Sequence, residues 1–207
     1  MTDVVAMGET PDPAVLVEVL SALADGEVVG LPTDTTYVLA VDPLVSGATD
    51  ALFELTKRPH SVDLPILVGT IAQALDLVTS LPAPARRLME RFWPGPLTLV
   101  LPRSPDLDAD LGDDDVTVGV RMPDHPVVLG LCREGGPLAV VAAGFHGDQE
   151  LVSADAVAEQ FGDQLAIVVD CGPSTPGLAT VVDATGDEPH LIREGRLAWK
   201  DLLAELE

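Results

Sequence analysis

Short apolar runs alternate along the chain with segments of helical spacing, and the changes between the two mark the predicted elements. Asp12-Pro13 followed by Ala14-Val15-Leu16-Val17-Glu18-Val19-Leu20 reads as a helix start, with an Asp cap and a Pro in the first turn. Gly26 closes that helix. Glu27-Val28-Val29-Gly30-Leu31 then reads as a buried strand, and Pro32, which has no N–H to give a ladder, ends it. Further helices are predicted over 49–56, 71–78, 83–92, 125–133, 154–161 and 198–206. Strands are predicted over 64–68, 97–101, 116–122, 138–142, 165–170 and 179–183. Strands outnumber what simple βαβ repeats need. The expected fold class is therefore α/β, a twisted sheet of mixed parallel and antiparallel strands flanked by helices. No internal repeat or flexible linker interrupts the pattern, and residues 1–207 read as a single domain.

Composition narrows this picture. Apolar residues make up 47% of the chain but aromatics only 3%, so the core must be built from Val, Leu, Ala and Ile, which suits a sheet under helices. No apolar run is long enough to span a bilayer and the N-terminus lacks a basic, then apolar, signal pattern; a soluble cytoplasmic protein is expected. Cys132 and Cys171 sit in apolar surroundings and read as buried free thiols. The net charge of −23 repels a phosphate backbone at long range, so direct binding of nucleic acid is not expected, nor is binding to a membrane. Lys57 and Lys200 are the only lysines. Such an acidic, lysine-poor surface fits a high-salt cytoplasm; a GC-rich genome would leave the same bias.

Candidate chemistry begins at Leu31-Pro32-Thr33-Asp34-Thr35-Thr36-Tyr37, where four small polar groups follow an apolar strand. Hydroxyls and a carboxylate at the mouth of a sheet can grip a polar ligand, and they can equally satisfy a turn. Arg58, Arg121 and Arg193 are natural anion clamps, because a guanidinium captures carboxylate or phosphate with two hydrogen bonds. Thr180, on a predicted strand, serves either a phosphate or the strand itself. Pro94-Gly95-Pro96 reads as a rigid corner. The acidic loop 105–115 has its glycine at 112, where a calcium loop does not place one, and reads as solvated. His60, His125, His146 and His190 have no metal-ligand spacing, so no metal ligands are assigned. Phosphate-binding P-loop, Gly-x-Gly-x-x-Gly, Gly-x-Ser-x-Gly and Cys-x-x-Cys motifs are absent from the sequence.

Several blocks in one order carry a resemblance: Lys57-Arg58-Pro59, Leu64-Pro65-Ile66-Leu67-Val68, Phe92-Trp93-Pro94-Gly95-Pro96-Leu97-Thr98-Leu99-Val100, Val118-Gly119-Val120-Arg121-Met122-Pro123-Asp124-His125-Pro126, Pro137-Leu138, Thr180-Val181-Val182-Asp183 and Ile192-Arg193-Glu194-Gly195. From about Val28 to Arg196 the chain resembles the threonylcarbamoyl-AMP synthase family, proteins with the YrdC-like fold. The resemblance implies a single YrdC-like domain that joins ATP, L-threonine and bicarbonate into threonylcarbamoyl-AMP, with Mg²⁺ accompanying ATP and the product feeding modification of tRNA adenosine. It implies catalytic roles for Arg58, Lys57 and Thr35, and binding of substrate or nucleotide by Thr33, Thr35, Arg58, Arg121, Thr180 and Arg193. The chain also departs from that family's signature of Lys-x-Arg and Ser-x-Asn. Thr56 holds the signature lysine position, Ala142 and Gly144 replace the serine and asparagine, Ala179 replaces a serine, and Val38 stands where a glycine follows the tyrosine. Three readings follow: a synthase with Lys57 and backbone groups substituting, a paralogue that binds a nucleotide or small carboxylate, or a scaffold that has lost its ligand.

Overall fold

The computed structural model describes residues 3–8 and 11–206. Ten strands form one mixed sheet: β1 (Asp3–Ala6), β2 (Val29–Leu31), β3 (Val38–Val41), β4 (Ile66–Leu67), β5 (Leu97–Pro102), β6 (Thr117–Arg121), β7 (Leu138–Ala142), β8 (Ile167–Asp170), β9 (Thr180–Asp183) and β10 (His190–Arg193). Their order across the sheet is β1-β8-β2-β3-β7-β4-β6-β5-β9-β10. The β1/β8, β2/β8, β4/β6 and β5/β9 pairs are parallel and the other pairs are antiparallel. Among the described residues seven α-helices accompany them: α1 (Pro13–Ala24), α2 (Ala48–Thr56), α3 (Ile71–Asp76), α4 (Ala83–Phe92), α5 (Pro126–Gly135), α6 (Ala154–Phe161) and α7 (Trp199–Ala204). None is long and apolar enough to cross a membrane.

The sheet's alternation sorts side chains into two cores. In β3, Leu39 and Val41 face the core shared with Leu52 and Phe53 of α2, Leu88 of α4 and Phe161 of α6. Val38 and Ala40 face the second core, with Val15 and Val19 of α1 and Val128 and Leu131 of α5. Both faces are therefore covered at the centre of the sheet, and a strand buried on both faces carries no polar alternation. That is why β3 escapes a reading based on periodicity. The edge strands β1 and β10 were not predicted either, because both are largely exposed and show no buried face.

Toward β6, β5 and β9 the second face loses its helices. Leu97, Leu99, Leu101, Val118, Val120 and Val182 point into the first core. The intervening residues Thr98, Val100, Thr117, Gly119, Arg121 and Val181 instead line an open cavity. One half of the sheet is thus a two-sided core and the other half is the floor of a site.

Helix ends place the neighbouring residues. Asp12 caps α1, accepting from the Ala14 N–H at 2.8 Å, as the Asp-Pro signal implies. Helix α2 ends at Lys57, whose φ of 56° is left-handed and turns the chain so that Arg58 leaves the helix axis. The Trp93–Pro94 peptide is cis, and the Gly95 carbonyl accepts from Arg121 Nε at 3.0 Å.

Candidate active site

The cavity encloses about 790 Å³ above the open half of the sheet, within the range of small-molecule sites. One wall is the β2–β3 loop. Thr33 Oγ1 donates to the Thr36 carbonyl at 2.7 Å and lies 2.9 Å from Thr35 Oγ1. The Thr35 N–H also donates to Thr33 Oγ1, at 3.0 Å. Arg121, the last residue of β6, reaches this loop from below. Its Nη1 donates to Thr35 Oγ1 at 3.1 Å and its Nη2 to Asp34 Oδ1 at 2.5 Å. The Arg121 side chain is 7% exposed and that of Asp34 14%, so this is a largely buried ion pair. Burial lowers the Arg121 pKa from its ordinary value, while the Asp34 carboxylate opposes the shift. Asp34 also accepts from the Asp124 N–H at 3.2 Å, and its carbonyl accepts from Arg196 Nη1. Ser174 Oγ donates to the Thr33 carbonyl at 3.1 Å, closing the loop from the far side.

The other wall is cationic. Arg58 donates from Nε to the Val62 carbonyl at 2.6 Å and from Nη2 to the Asp63 carbonyl at 2.9 Å. Arg193, in β10, donates from Nη2 to the Ala179 carbonyl at 3.1 Å. These partners are carbonyls; the ion pairs seen among the described residues use Arg91, Arg103 and Arg121. Burial lowers the Arg58 pKa and repulsion from Arg193 lowers it further, with Asp63 opposing. Burial also lowers that of Arg193, with Glu150 opposing. Asp63 and Glu150 share the lining, but among the described residues neither Arg58 nor Arg193 is in an ion pair, so both guanidinium groups can turn donors to an anion.

The sequence-derived candidates divide accordingly. Arg58, Arg121, Arg193 and Thr35 all line the cavity. Thr33 does not; its hydroxyl is taken up within the loop. Thr180 is fully buried and belongs to the fold: its hydroxyl donates to the Leu197 carbonyl at 2.7 Å and accepts from the Gly195 and Leu197 N–H groups at 2.9 and 3.1 Å. Of the two roles the sequence left open for Thr180, a phosphate or the fold, the hydroxyl here serves the fold. The physical reason is a close approach of chains, since a Cβ on Gly195 would meet the Leu178 carbonyl oxygen at 2.3 Å. Lys57 is not among the residues that line the cavity; its exposed side chain places Nζ 4.3 Å from the centre of the ring of Phe145, a lining residue. Thr56 lines the cavity in its place, with its hydroxyl donating to the Leu52 carbonyl at 2.6 Å.

Ala142, Gly144 and Ala179 also line the cavity and offer it no polar side chain. Gly144 has a φ of +143°, and a Cβ there would lie 3.3 Å from the Gln149 carbonyl oxygen, so this backbone excludes most side chains. Sequence reasoning missed Arg196, though its signal was present as a second arginine three residues after Arg193. Asp34 was read as one of a polar cluster, because a partner 87 residues away leaves no local trace. Both cysteines are free; Cys132 is buried, with its thiol pushed up to about 12, and Cys171 is half-buried. Among the described residues no group of three or more His, Cys, Asp or Glu side chains is arranged to hold a metal ion. Asp114 in the acidic loop instead caps its own turn, accepting from the Val116 N–H at 2.8 Å and the Thr117 hydroxyl at 2.5 Å.

Fold and cavity together place the chain among α/β proteins with a concave site for small polar molecules. It belongs to the Sua5/YciO/YrdC family, whose model carries the description Telomere recombination and matches residues 21–195. A Mycobacterium tuberculosis relative is 40% identical over 181 residues, 87% of this chain and 83% of that protein. The threonylcarbamoyl-AMP synthase of Bacillus subtilis is 36% identical over 198 residues, covering 94% of this chain but 57% of that enzyme. The structure of Pyrococcus abyssi Sua5 complexed with L-threonine superposes with a TM-score of 0.93 at 32% identity, over 99% of this chain and 61% of that one. The chain thus spans less than two thirds of the length of these two longer relatives.

Proposed function

We propose that the protein is an L-threonylcarbamoyladenylate synthase. In the proposed reaction the threonine amine combines with bicarbonate to give a carbamate and water. A carbamate oxygen then attacks the α-phosphorus of ATP, and pyrophosphate leaves. The observation that carries this reading is the pair Arg58 and Arg193, which line the cavity and donate to carbonyls, with no ion pair to a carboxylate among the described residues. They would hold the polyanionic part of the substrates and draw off the charge that develops on the leaving pyrophosphate. Thr35 would meet the amino acid on the opposite wall. Because the chemistry needs no covalent partner from the protein, catalysis would rest on holding amine, bicarbonate and α-phosphate in line. Mg²⁺ would arrive as the counter-ion of ATP. The product would feed modification of tRNA adenosine.

The bare surfaces of Ala142, Gly144 and Ala179 favour a second reading, a paralogue that binds a nucleotide or small carboxylate without making the adenylate. Purified protein with ATP, Mg²⁺, bicarbonate and L-threonine separates the two. Pyrophosphate release that requires both threonine and bicarbonate is the expected result. ATP binding without such release would select the second reading.

A further inference from the structure

The hydrogen atoms of the β2–β3 loop can be counted. Thr33 Oγ1 has one proton, and it goes to the Thr36 carbonyl. In the 2.9 Å contact between the two hydroxyls, Thr35 must therefore be the donor. Thr33 Oγ1 then accepts from the Thr35 hydroxyl and from the Thr35 N–H, which saturates it. Thr35 Oγ1 has given its only proton to Thr33 and already accepts from Arg121 Nη1. One lone pair remains, on an oxygen whose residue lines the cavity. Thr35 can only accept from a ligand.

Asp34 maintains this arrangement without lining the cavity. Its Oδ1 takes Arg121 Nη2, while the Gly95 carbonyl takes Arg121 Nε. The guanidinium is thereby fixed in plane, with Nη1 aimed at Thr35. The same carboxylate balances the Arg121 charge, so the anions are left to Arg58 and Arg193. We propose that Asp34 is a positioning residue that, through Arg121, makes Thr35 an obligate acceptor, so that this wall recognises a hydrogen-bond donor of the amino-acid substrate and not its carboxylate. The inference rests on the synthase reading for the identity of that amino acid. Two donors on it qualify, the side-chain hydroxyl and the ammonium.

Calorimetric titration of the purified protein with L-threonine, L-2-aminobutyrate (which lacks the hydroxyl) and ATP tests this. Asp34→Ala should weaken L-threonine roughly tenfold while ATP stays within about twofold. Asp34→Asn keeps the Oδ1 acceptor and should recover threonine affinity to within about threefold of the natural protein. Thr35→Val should weaken L-threonine roughly tenfold. If the hydroxyl is the donor, Thr35→Val leaves L-2-aminobutyrate unchanged; if the ammonium is, both amino acids weaken together. Unchanged threonine affinity in Asp34→Ala overturns the proposal, and so does a parallel loss of ATP. Should Asp34→Ala fail to fold, unchanged threonine affinity in Thr35→Val overturns it alone. A natural protein that binds threonine but releases no pyrophosphate counts against the synthase reading and leaves this inference standing.

Discussion

On the Thr33–Thr36 side of the cavity, charge and hydrogen bonds are matched inside the protein: Asp34 against Arg121, Thr35 against Thr33, Ser174 against a carbonyl. Across the cavity Arg58 and Arg193 rest on carbonyls and, among the described residues, are in no ion pair. The first wall is rigid before any ligand arrives and can read a shape. The second carries unspent charge and can hold an anion. A site that joins a small neutral-to-zwitterionic molecule to a polyanion has use for one wall of each kind.

The largest effect should come from the charged wall. Arg58→Ala is expected to lower kcat/KM for adenylate formation by about a hundredfold or more, because it removes a donor aimed at developing charge. The thermal melting temperature should change little, since the lost bonds go to carbonyls near the surface; a large drop would move Arg58 from the site to the fold. Next in size is a break in the support behind that wall. Thr180→Val strips partners from two N–H groups and one carbonyl in a fully buried position. It should cost about 2–4 kcal/mol of stability in urea unfolding. A loss under 1 kcal/mol would mean the segment around Gly195 is held by other contacts.

Gain of charge offers a sharper test. Moving the cation with Thr56→Lys and Lys57→Gly places an ammonium at a cavity-lining position and puts glycine at the left-handed one. ATP should bind about tenfold tighter by calorimetry. No change would show that the Thr56 side of the cavity lies away from the phosphates. Gly144→Asn is a poorer way to restore polarity, given the backbone at that position, and Ala142→Ser is the cleaner substitution.

The smallest expected effect is on pH dependence. His125 precedes α5 with a buried Nδ1 that has no hydrogen-bond partner. Burial lowers its pKa below the ordinary 6.5, with Asp34 and Asp124 opposing. The unfolded chain therefore takes up the proton first. Stability is whole above the ordinary value and falls as pH drops through it toward the lowered one. His125→Gln should flatten that part of the curve in urea unfolding between pH 7.5 and 5.5. An unchanged slope would assign the acid sensitivity to carboxylates.

The comparison also shows how far the sequence could be read. Ala83–Phe92 and Ala154–Phe161 begin and end where periodicity placed them, because each presents one apolar face, and Leu138–Ala142, buried on both faces, was legible as a five-residue apolar run after Pro137. Val38–Val41 was missed because both its faces are buried. Arg58 and Arg193 were legible as cations in an acidic, lysine-poor chain. The surroundings of Thr180 and Lys57 lie outside local sequence: one is enclosed by a chain segment 15–17 residues away, the other sits at a left-handed helix end beside Phe145. Long-range pairing, as in Asp34 with Arg121, is set by topology.

The most direct test of the account feeds ¹³C-bicarbonate, L-threonine and Mg-ATP to the purified protein and reads the nucleotide products by mass spectrometry. An AMP adduct carrying both threonine and the labelled carbon, absent when Arg58 is Ala, is the predicted result. Unmodified ATP alone, from a protein shown to bind both ATP and L-threonine, would contradict it.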